Sequence, residues 1–462
     1  MRPAPVQAES ALAESAGECN GAGMRYHPSR DCADPPRVYA DRAAPPPAAT
    51  VLEAETRAAI AVIGAGFTGL SAALHLAEAG ADVALIEARE VGWGASGRAF
   101  GQVVPYLKHG HAHVLAHYGA ERGQRIVDAV AAGPALVRGL IEHHAIACDL
   151  LCTGLLIGAH SPAGRKGLET VAAYWRGRGA AVEMLDAGGS AAAVGSGYYQ
   201  AALLDRRGVH LNPLAYARGL AHAAARVGVR FFPNTPVHGL TREGRDWVLA
   251  VPGGRIRAGA VVIATNAYAT DLWPGLRRGF VPIRGHAMVS APLSDNQRRG
   301  ILPGGQPLTD TRRLFSGVRV LAGGQLHVSL DGPAFGPERT PFRAMAEQRV
   351  AHLYPWLGPL TWQEDWSGWI AVTPDHFPRV HELAPGVFAG MGYSGRGIAA
   401  ATIIGRDIAL HLRGVAEAEL VFPLSPSRPM ALHGLAWLPA EALLGVYRML
   451  DARDERAINR SR

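Results

Sequence analysis

Residues 59–87, AIAVIGAGFTGLSAALHLAEAGADVALIE, decide how the rest of the chain is read. The run Ile60–Ile63 is apolar at every position, as a strand buried on both faces of a parallel sheet would be. Gly64, Gly66 and Gly69 follow at G-x-G-x-x-G spacing. Leu70, Ala73, Leu74 and Ala77 then recur at helical intervals, the stripe of a helix packed on a sheet. Gly80 ends that helix, and Val83–Ile86 make a second buried strand that stops at Glu87. Three spaced glycines alone carry little weight. With a strand, a helix, a second strand and an acid about 20 residues on, they specify a dinucleotide-binding βαβ unit.

The spacing has a chemical reason. Gly64 allows the tight turn out of the strand, Gly66 lets backbone approach a pyrophosphate, and Gly69 lets helix and strand pack closely. The helix start offers free N–H groups and a partial positive charge to the pyrophosphate. Glu87 can accept hydrogen bonds from the 2′-OH of an adenosine ribose.

The remaining composition excludes several classes. A chain of 462 residues, 48% hydrophobic and 18% charged, reads as a soluble globular protein of two or three domain-sized units. Gly64, Gly66, Thr68 and His75 interrupt its longest apolar run, so no membrane span is expected. The N-terminus has no contiguous apolar core of a secretory signal, which leaves the cytoplasm as the expected location. Cys19, Cys32, Cys148 and Cys152 form neither a C-x-x-C nor a zinc pattern. The formal charge of +7 comes almost wholly from arginine, Lys108 and Lys166 being the only lysines. The arginines fall in scattered pairs and form no aromatic-interleaved stripe, so no nucleic acid is expected as a partner. His113 and His117 stand one helical turn apart without an identifiable third ligand, and no metal is expected.

Outside the βαβ unit, residues 1–50 are rich in alanine and proline and read as an extended arm with Tyr39 as an anchor. The stretch VGWGASGRAFGQ, 91–102, carries Gly92, Gly94, Gly97 and Gly101 directly after Glu87, which suits backbone passing close to a bulky cofactor. A helical pattern runs from His111 to His144. Asn212-Pro213 starts another helix, with asparagine as its cap and proline in its first turn. Strands are expected at Val229–Phe232, Thr235–Leu240, Trp247–Val251 and Val261–Ala264. Far along the chain, the strand Val387–Ala389 runs into Gly390, Gly392, Gly395 and Gly397 and then an apolar helix. This second glycine loop aims a helix start at something that gains negative charge, as the pyrimidine edge of a reduced flavin does. A single nicotinamide nucleotide would not need it.

With these residues in view, the chain resembles the FAD-dependent D-amino-acid oxidase superfamily, and within it the gamma-glutamylputrescine oxidoreductase type. The likeness covers residues 36–450. It rests on AVIGAGFTGLSAALHLAE, GWGASGR, AHYGAERG, GVHLNPLAYARGLA, VVIATNAYA, WSGWIAVTPDHFP and GMGYSGRGIA, in that order. The resemblance implies an α/β fold, α+β overall, in which a Rossmann-like FAD-binding βαβ domain carries a mostly antiparallel sheet that covers the substrate face of the flavin. Residues 55–110, 200–275 and 380–420 would form the FAD-binding domain. Residues 111–199 and 276–379 would form the substrate domain, with 421–462 as a C-terminal extension packed on the body.

Carried over by position, Gly64, Gly66, Phe67, Thr68 and Gly69 would surround the pyrophosphate, and Glu87 and Ala88 the adenosine ribose. Ala95, Ser96, Arg98 and Gln102 would wall the cofactor. Val237 would meet the adenine through its backbone, and Thr265 and Asn266 would border the dinucleotide. Gly395, Arg396, Gly397 and Ile398 would face the flavin. Phe100, His286, Trp366, Trp369 and Tyr393, with Arg396, are the candidates for an amine pocket, since aromatic walls suit a cationic amine.

Two departures from the family stand out. Where the subgroup reads S-G-R-N-G-G-Q, this chain has Ala99 and Phe100 in place of the asparagine and first glycine, so a hydrogen bond is lost and a ring intrudes. The sarcosine oxidases' attachment cysteine, in the region of Trp366–Thr373, and their lysine after the second glycine loop are both missing. FAD is therefore expected to bind without a covalent bond. The implied activity is oxidation of the C–N bond of an amine or amino acid, of the polyamine type such as gamma-glutamylputrescine, with oxygen or another acceptor taking the electrons. No catalytic side chain is identified. The alternatives are a flavin-binding subunit with little catalysis and an NAD-linked dehydrogenase.

Overall fold

The computed structural model describes residues 34–332 and 342–460. Cys19 and Cys32 lie outside them. The first strand, β1 (Glu55–Ile63), leads through Gly64-Ala65-Gly66 into helix α1 (Phe67–Glu78), and Gly80, at φ +86°, releases the chain into β2 (Val83–Ile86). Further strands of this layer are β3 (Arg230–Phe232), β4 (Gly254–Ile263) and β5 (Val387–Met391). They stand side by side in the order β5-β4-β1-β2-β3, all parallel. Ile63 is registered with both Ile263 and Ile86, so the sheet ends evenly where the glycine turn begins. Brought beside it are Thr265 after β4 and, beyond β5, the second glycine loop with helix α2 (Gly397–Leu412).

Helices α1 and α2 pack on each other closely enough that a Cβ on Gly405 would lie 2.4 Å from the Thr68 carbonyl oxygen. Alanine- and glycine-rich helices can approach that near only because they lack side-chain bulk. Ile398, Ile403, Ile404 and Ile408 complete the packing and are buried.

Among the described residues the second sheet contains eight strands, with Trp362–Val372 and Val281–Pro292 at one side and Leu155–Gly158, Ala202–Asp205 and Val182–Leu185 at the other. Its pairs are antiparallel except where Leu308–Asp310 runs parallel to Leu155–Gly158. The architecture is thus the expected one, a parallel Rossmann-like βαβ layer joined to a mostly antiparallel sheet. The helices of 111–143, assigned from sequence to the substrate half, pack against α2, where Gly133 meets Ala399. Ala202–Asp205 in turn belongs to the second sheet.

Local expectations fare unevenly. Asn212 caps the helix Pro213–Arg226 by accepting the Ala215 N–H at 3.1 Å, while its amide donates to the Tyr39 carbonyl at 3.0 Å. Such a cap contributes about 1 kcal/mol. Tyr39 is 1% exposed and accepts from Arg319 Nη2 at 2.9 Å. The strand expected at Thr235–Leu240 is not formed as read. Pairing starts only at Gly239, because Pro236 has no N–H to give and the Thr235 N–H donates to the Glu87 carbonyl at 2.8 Å. That diversion puts Val237 beside Glu87's turn.

Candidate functional site, a dinucleotide cleft with charged residues on its wall

A cavity of about 1550 Å³ is walled by residues from both sheets. Pockets for one small molecule run to about 1,000 Å³, so this one has room for a dinucleotide and a second molecule. All the sequence-derived site residues stand on its wall except Gly69. Gly69 acts by packing: a Cβ there would lie 2.0 Å from the Gly64 carbonyl oxygen.

The glycine turn fits a pyrophosphate. Gly64 has φ +105°, a conformation few other residues accept, and a Cβ on Gly66 would meet Ser96 Oγ at 2.9 Å. Gly66, at the N-cap of α1, has no side chain to cap it; the Phe67 N–H donates to Ser96 Oγ at 3.1 Å, and the remaining first-turn amides are left for a ligand. Glu87 accepts the Ala65 N–H at 2.8 Å on one oxygen and the Arg89 N–H at 2.9 Å on the other. Burial pushes its carboxyl up, and these backbone donors oppose the shift. Each oxygen keeps a lone pair for a ribose hydroxyl.

Arg98 is 7% exposed and spends its guanidinium on backbone, with Nε donating to the Trp93 carbonyl at 3.0 Å and Nη1 reaching the Ser367 carbonyl at 3.4 Å. It therefore shapes the loop that crosses to the second sheet. Trp366 closes the same joint by donating Nε1–H to the Arg98 carbonyl at 3.0 Å. Asn266 Oδ1 accepts the Gly392 N–H at 2.9 Å, fastening the β4 end to the second glycine loop. Gln102 Nε2 is buried on the wall with no hydrogen-bond partner among the described residues, a donor available to a ligand oxygen. No side chain caps α2 either. Taken together, these residues fit FAD.

Beyond them the wall turns aromatic and charged. Phe100 lines the cavity, and its ring lies 5.7 Å from Phe315, edge-on, and 5.0 Å from His327. Trp369 is buried beneath the Arg284 guanidinium at 4.6 Å. His286 stacks on Phe342 at 4.0 Å, and burial, with Arg284 next, pulls it down to about 4. At neutral pH it is an uncharged wall. Tyr393 is 7% exposed, its hydroxyl 2.5 Å from Thr68 Oγ1.

Sequence reading missed Lys108 and Asp331. Both line the cavity, with Arg396 close enough to act on each. Lys108 is open to the cavity while protein surrounds it on most sides. That enclosure governs its charge, so the ammonium is pulled below the ordinary lysine value, Arg396 adding to the effect and Asp331 opposing it. Burial raises the Asp331 carboxyl, while Lys108 and the Phe315 N–H, donating at 3.1 Å, hold it down. Arg396 lies over the Tyr106 ring at 5.0 Å. One signal for Lys108 was present, a rare lysine shortly after the GWGASGR loop in a chain that otherwise uses arginine. Asp331 had none. Leu444 and Tyr447, from the C-terminal helix α3 (Trp437–Arg460), also reach the wall.

Comparison with known proteins agrees with this geometry. The FAD dependent oxidoreductase family (DAO) matches residues 59–410. Gamma-glutamylputrescine oxidoreductase of Escherichia coli (strain K12) is 30% identical over 398 residues, covering 85% of this chain and 92% of that protein. Glycine oxidase of Geobacillus kaustophilus is 27% identical over 391 residues, covering 79% and 95%. The crystal structure of that glycine oxidase superposes with a TM-score of 0.63 at 24% identity, covering 82% of this chain and 97% of the other. L-proline dehydrogenase from P. horikoshii gives 0.66 at 19% identity, with 79% and 96% covered. A cleft built for FAD, on this fold and with a family match across most of its length, makes the chain a member of the FAD-dependent oxidoreductase family and an enzyme that works with FAD.

Proposed function

We propose that this enzyme oxidises the C–N bond of an amine whose far end is charged, a gamma-glutamylated diamine such as gamma-glutamylputrescine being the fitting case. The observation that carries the reading is that Lys108 and Asp331, close enough to act on each other's charge, share the wall of one cavity with Phe100, Phe315, Trp369 and His286. A glutamyl end offers a carboxylate to Lys108 and an ammonium to Asp331. The aliphatic middle suits the aromatic side chains, and uncharged His286 adds no repulsion toward the amine.

FAD, when bound, supplies the two-electron acceptor. The amine must be neutral, so that its nitrogen lone pair can form C=N as hydride leaves the carbon and a proton is lost from nitrogen. Water then hydrolyses the imine to a carbonyl and an amine or ammonia. The side chains bind and orient the substrate and keep bulk water out. The test is anaerobic titration of the yellow holoenzyme with gamma-glutamylputrescine, putrescine, sarcosine, glycine and D-alanine. Bleaching by the first at lower concentration than by the others is expected. Preference for glycine or sarcosine would replace the substrate, and no bleaching by any would favour the reading with little catalysis.

A further inference from the structure

Helix α3 (Trp437–Arg460) is fixed to the body by its inner face. Arg313 Nη1 donates to Asp451 at 2.7 Å and to Asp454 at 2.9 Å, Arg312 to Glu455 at 3.1 Å, and His352 Nδ1 lies 3.1 Å from Glu455. Leu444 is buried against Leu314, with Tyr447 packed beside them. The helix cannot roll to hide its other side without breaking these pairs.

That other side is apolar. Of the ten large hydrophobic residues exposed among the described residues, six fall within 432–449: Leu432, Leu435, Leu438, Leu443, Val446 and Met449. On the helix, Leu438, Ala442, Val446 and Met449 follow at intervals of three and four and so form one stripe. The same stripe continues into Arg453 and Arg456, both exposed and neither ion-paired among the described residues. The carboxylates of this half of the helix, Asp451, Asp454 and Glu455, all point into the body. Leucine, valine and methionine followed by unpaired arginines, on one exposed helix face, match a surface that is apolar below and anionic above. The chain's formal charge of +7 has the same sign.

We infer that α3 is an in-plane anchor that lays this enzyme on an anionic phospholipid surface. No helix of the described residues is long and apolar enough to cross a membrane, so the contact is peripheral. Leu444 and Tyr447, on the inner side of the same helix, line the cavity, which places the cleft next to the leaflet. The inference does not depend on which amine is oxidised.

The test is flotation of the holoenzyme with vesicles of phosphatidylcholine alone or mixed equally with phosphatidylglycerol. Flotation with the mixed vesicles, weakened by salt, is expected. Each arginine near an anionic leaflet contributes about fivefold, so the pair Arg453→Gln and Arg456→Gln should weaken binding about thirtyfold. Val446→Glu with Met449→Glu should abolish it. Flavin content and bleaching by soluble amine should stay unchanged in both variants, which shows that they fold. Absence of flotation, equal flotation of wild type and variants, or a dimer that Val446→Glu separates would each overturn the inference. The last would make the stripe an interface between copies.

Discussion

Thr68 and Tyr393 meet through their side-chain oxygens at 2.5 Å, although 325 residues separate them in the chain. Thr68 belongs to the first glycine motif and Tyr393 to the second, so one hydrogen bond fastens the two halves of the FAD cradle. Burial raises the Tyr393 phenol, and the bond to Thr68 opposes it. Tyr393→Phe keeps the ring and removes the bond. A buried hydrogen bond contributes about 1 kcal/mol, with more lost when a partner is left unsatisfied. We expect a lower melting temperature and several-fold faster FAD loss on dialysis, measured against wild type. Unchanged FAD retention would mean that the cradle is held elsewhere.

Lys108→Met should raise KM for gamma-glutamylputrescine while leaving the weaker reaction with putrescine almost unchanged. A charge-assisted hydrogen bond contributes about 1.5–3 kcal/mol, which predicts roughly a ten- to hundredfold loss in kcat/KM for the substrate with a carboxylate. Asp331→Asn should act in the same direction through the ammonium. Equal losses for both amines would place Lys108 in the chemistry rather than in recognition of the far end.

Phe100→Gly should widen the cavity beside Phe315 and His327, admitting bulkier amines and relaxing preference for slender ones. The ring is packed as well as exposed to the cavity, so its removal carries a stability cost of about 2 kcal/mol. Bleaching rates with N-alkylated diamines of increasing size distinguish a specificity change from simple destabilisation, which would slow all of them alike.

Among the described residues no cysteine lines the cavity, and the second glycine loop is followed by no lysine. Acid precipitation should therefore leave the yellow flavin in the supernatant. Colour retained in the washed pellet would point to one of the wall histidines, His109, His238, His286 or His376, as an attachment site.

Asp407 is 1% exposed and accepts the Val421 and Phe422 N–H groups at 3.0 and 3.2 Å. Burial raises its carboxyl from 3.8 to about 6 in spite of those donors and of Arg406 and Arg122. The folded chain thus binds this proton more tightly than the unfolded chain. Stability from this group is present below about 4 and falls as pH rises to about 6, by at most about 3 kcal/mol. Asp407→Asn removes that dependence. Its melting temperature relative to wild type should be higher at pH 8 than at pH 4.5; the opposite order would show the ionised carboxylate to be stabilising.

The cofactor half of the cleft was readable because its signals are local. Glycine spacing, the apolar strand and the acid at its end all lie within 59–87, and Asn212 announces its own cap. Val237 came through the resemblance, while the strand drawn around it failed at Pro236, where the missing N–H forces backbone to pair with Glu87's turn instead. The charged part of the wall was not readable. Lys108 and Asp331 come from distant segments, and no periodicity of either segment reports the other. The C-terminal helix shows the same limit, since its charges reveal an inner face only once Arg312 and Arg313 are in place.

The strand order β5-β4-β1-β2-β3 has a consequence for biosynthesis. The central strand β1 leaves the ribosome more than 300 residues before its second-nearest neighbour β5 and the helix that covers α1. Until residue 412 is free, α1 has an uncovered face of leucine and alanine, and the cradle lacks its second rim. FAD can be locked in only after residue 412 has been translated. Release of incomplete chains should then yield colourless, aggregation-prone protein, and limiting riboflavin should reduce the yield of folded enzyme more than its rate of synthesis.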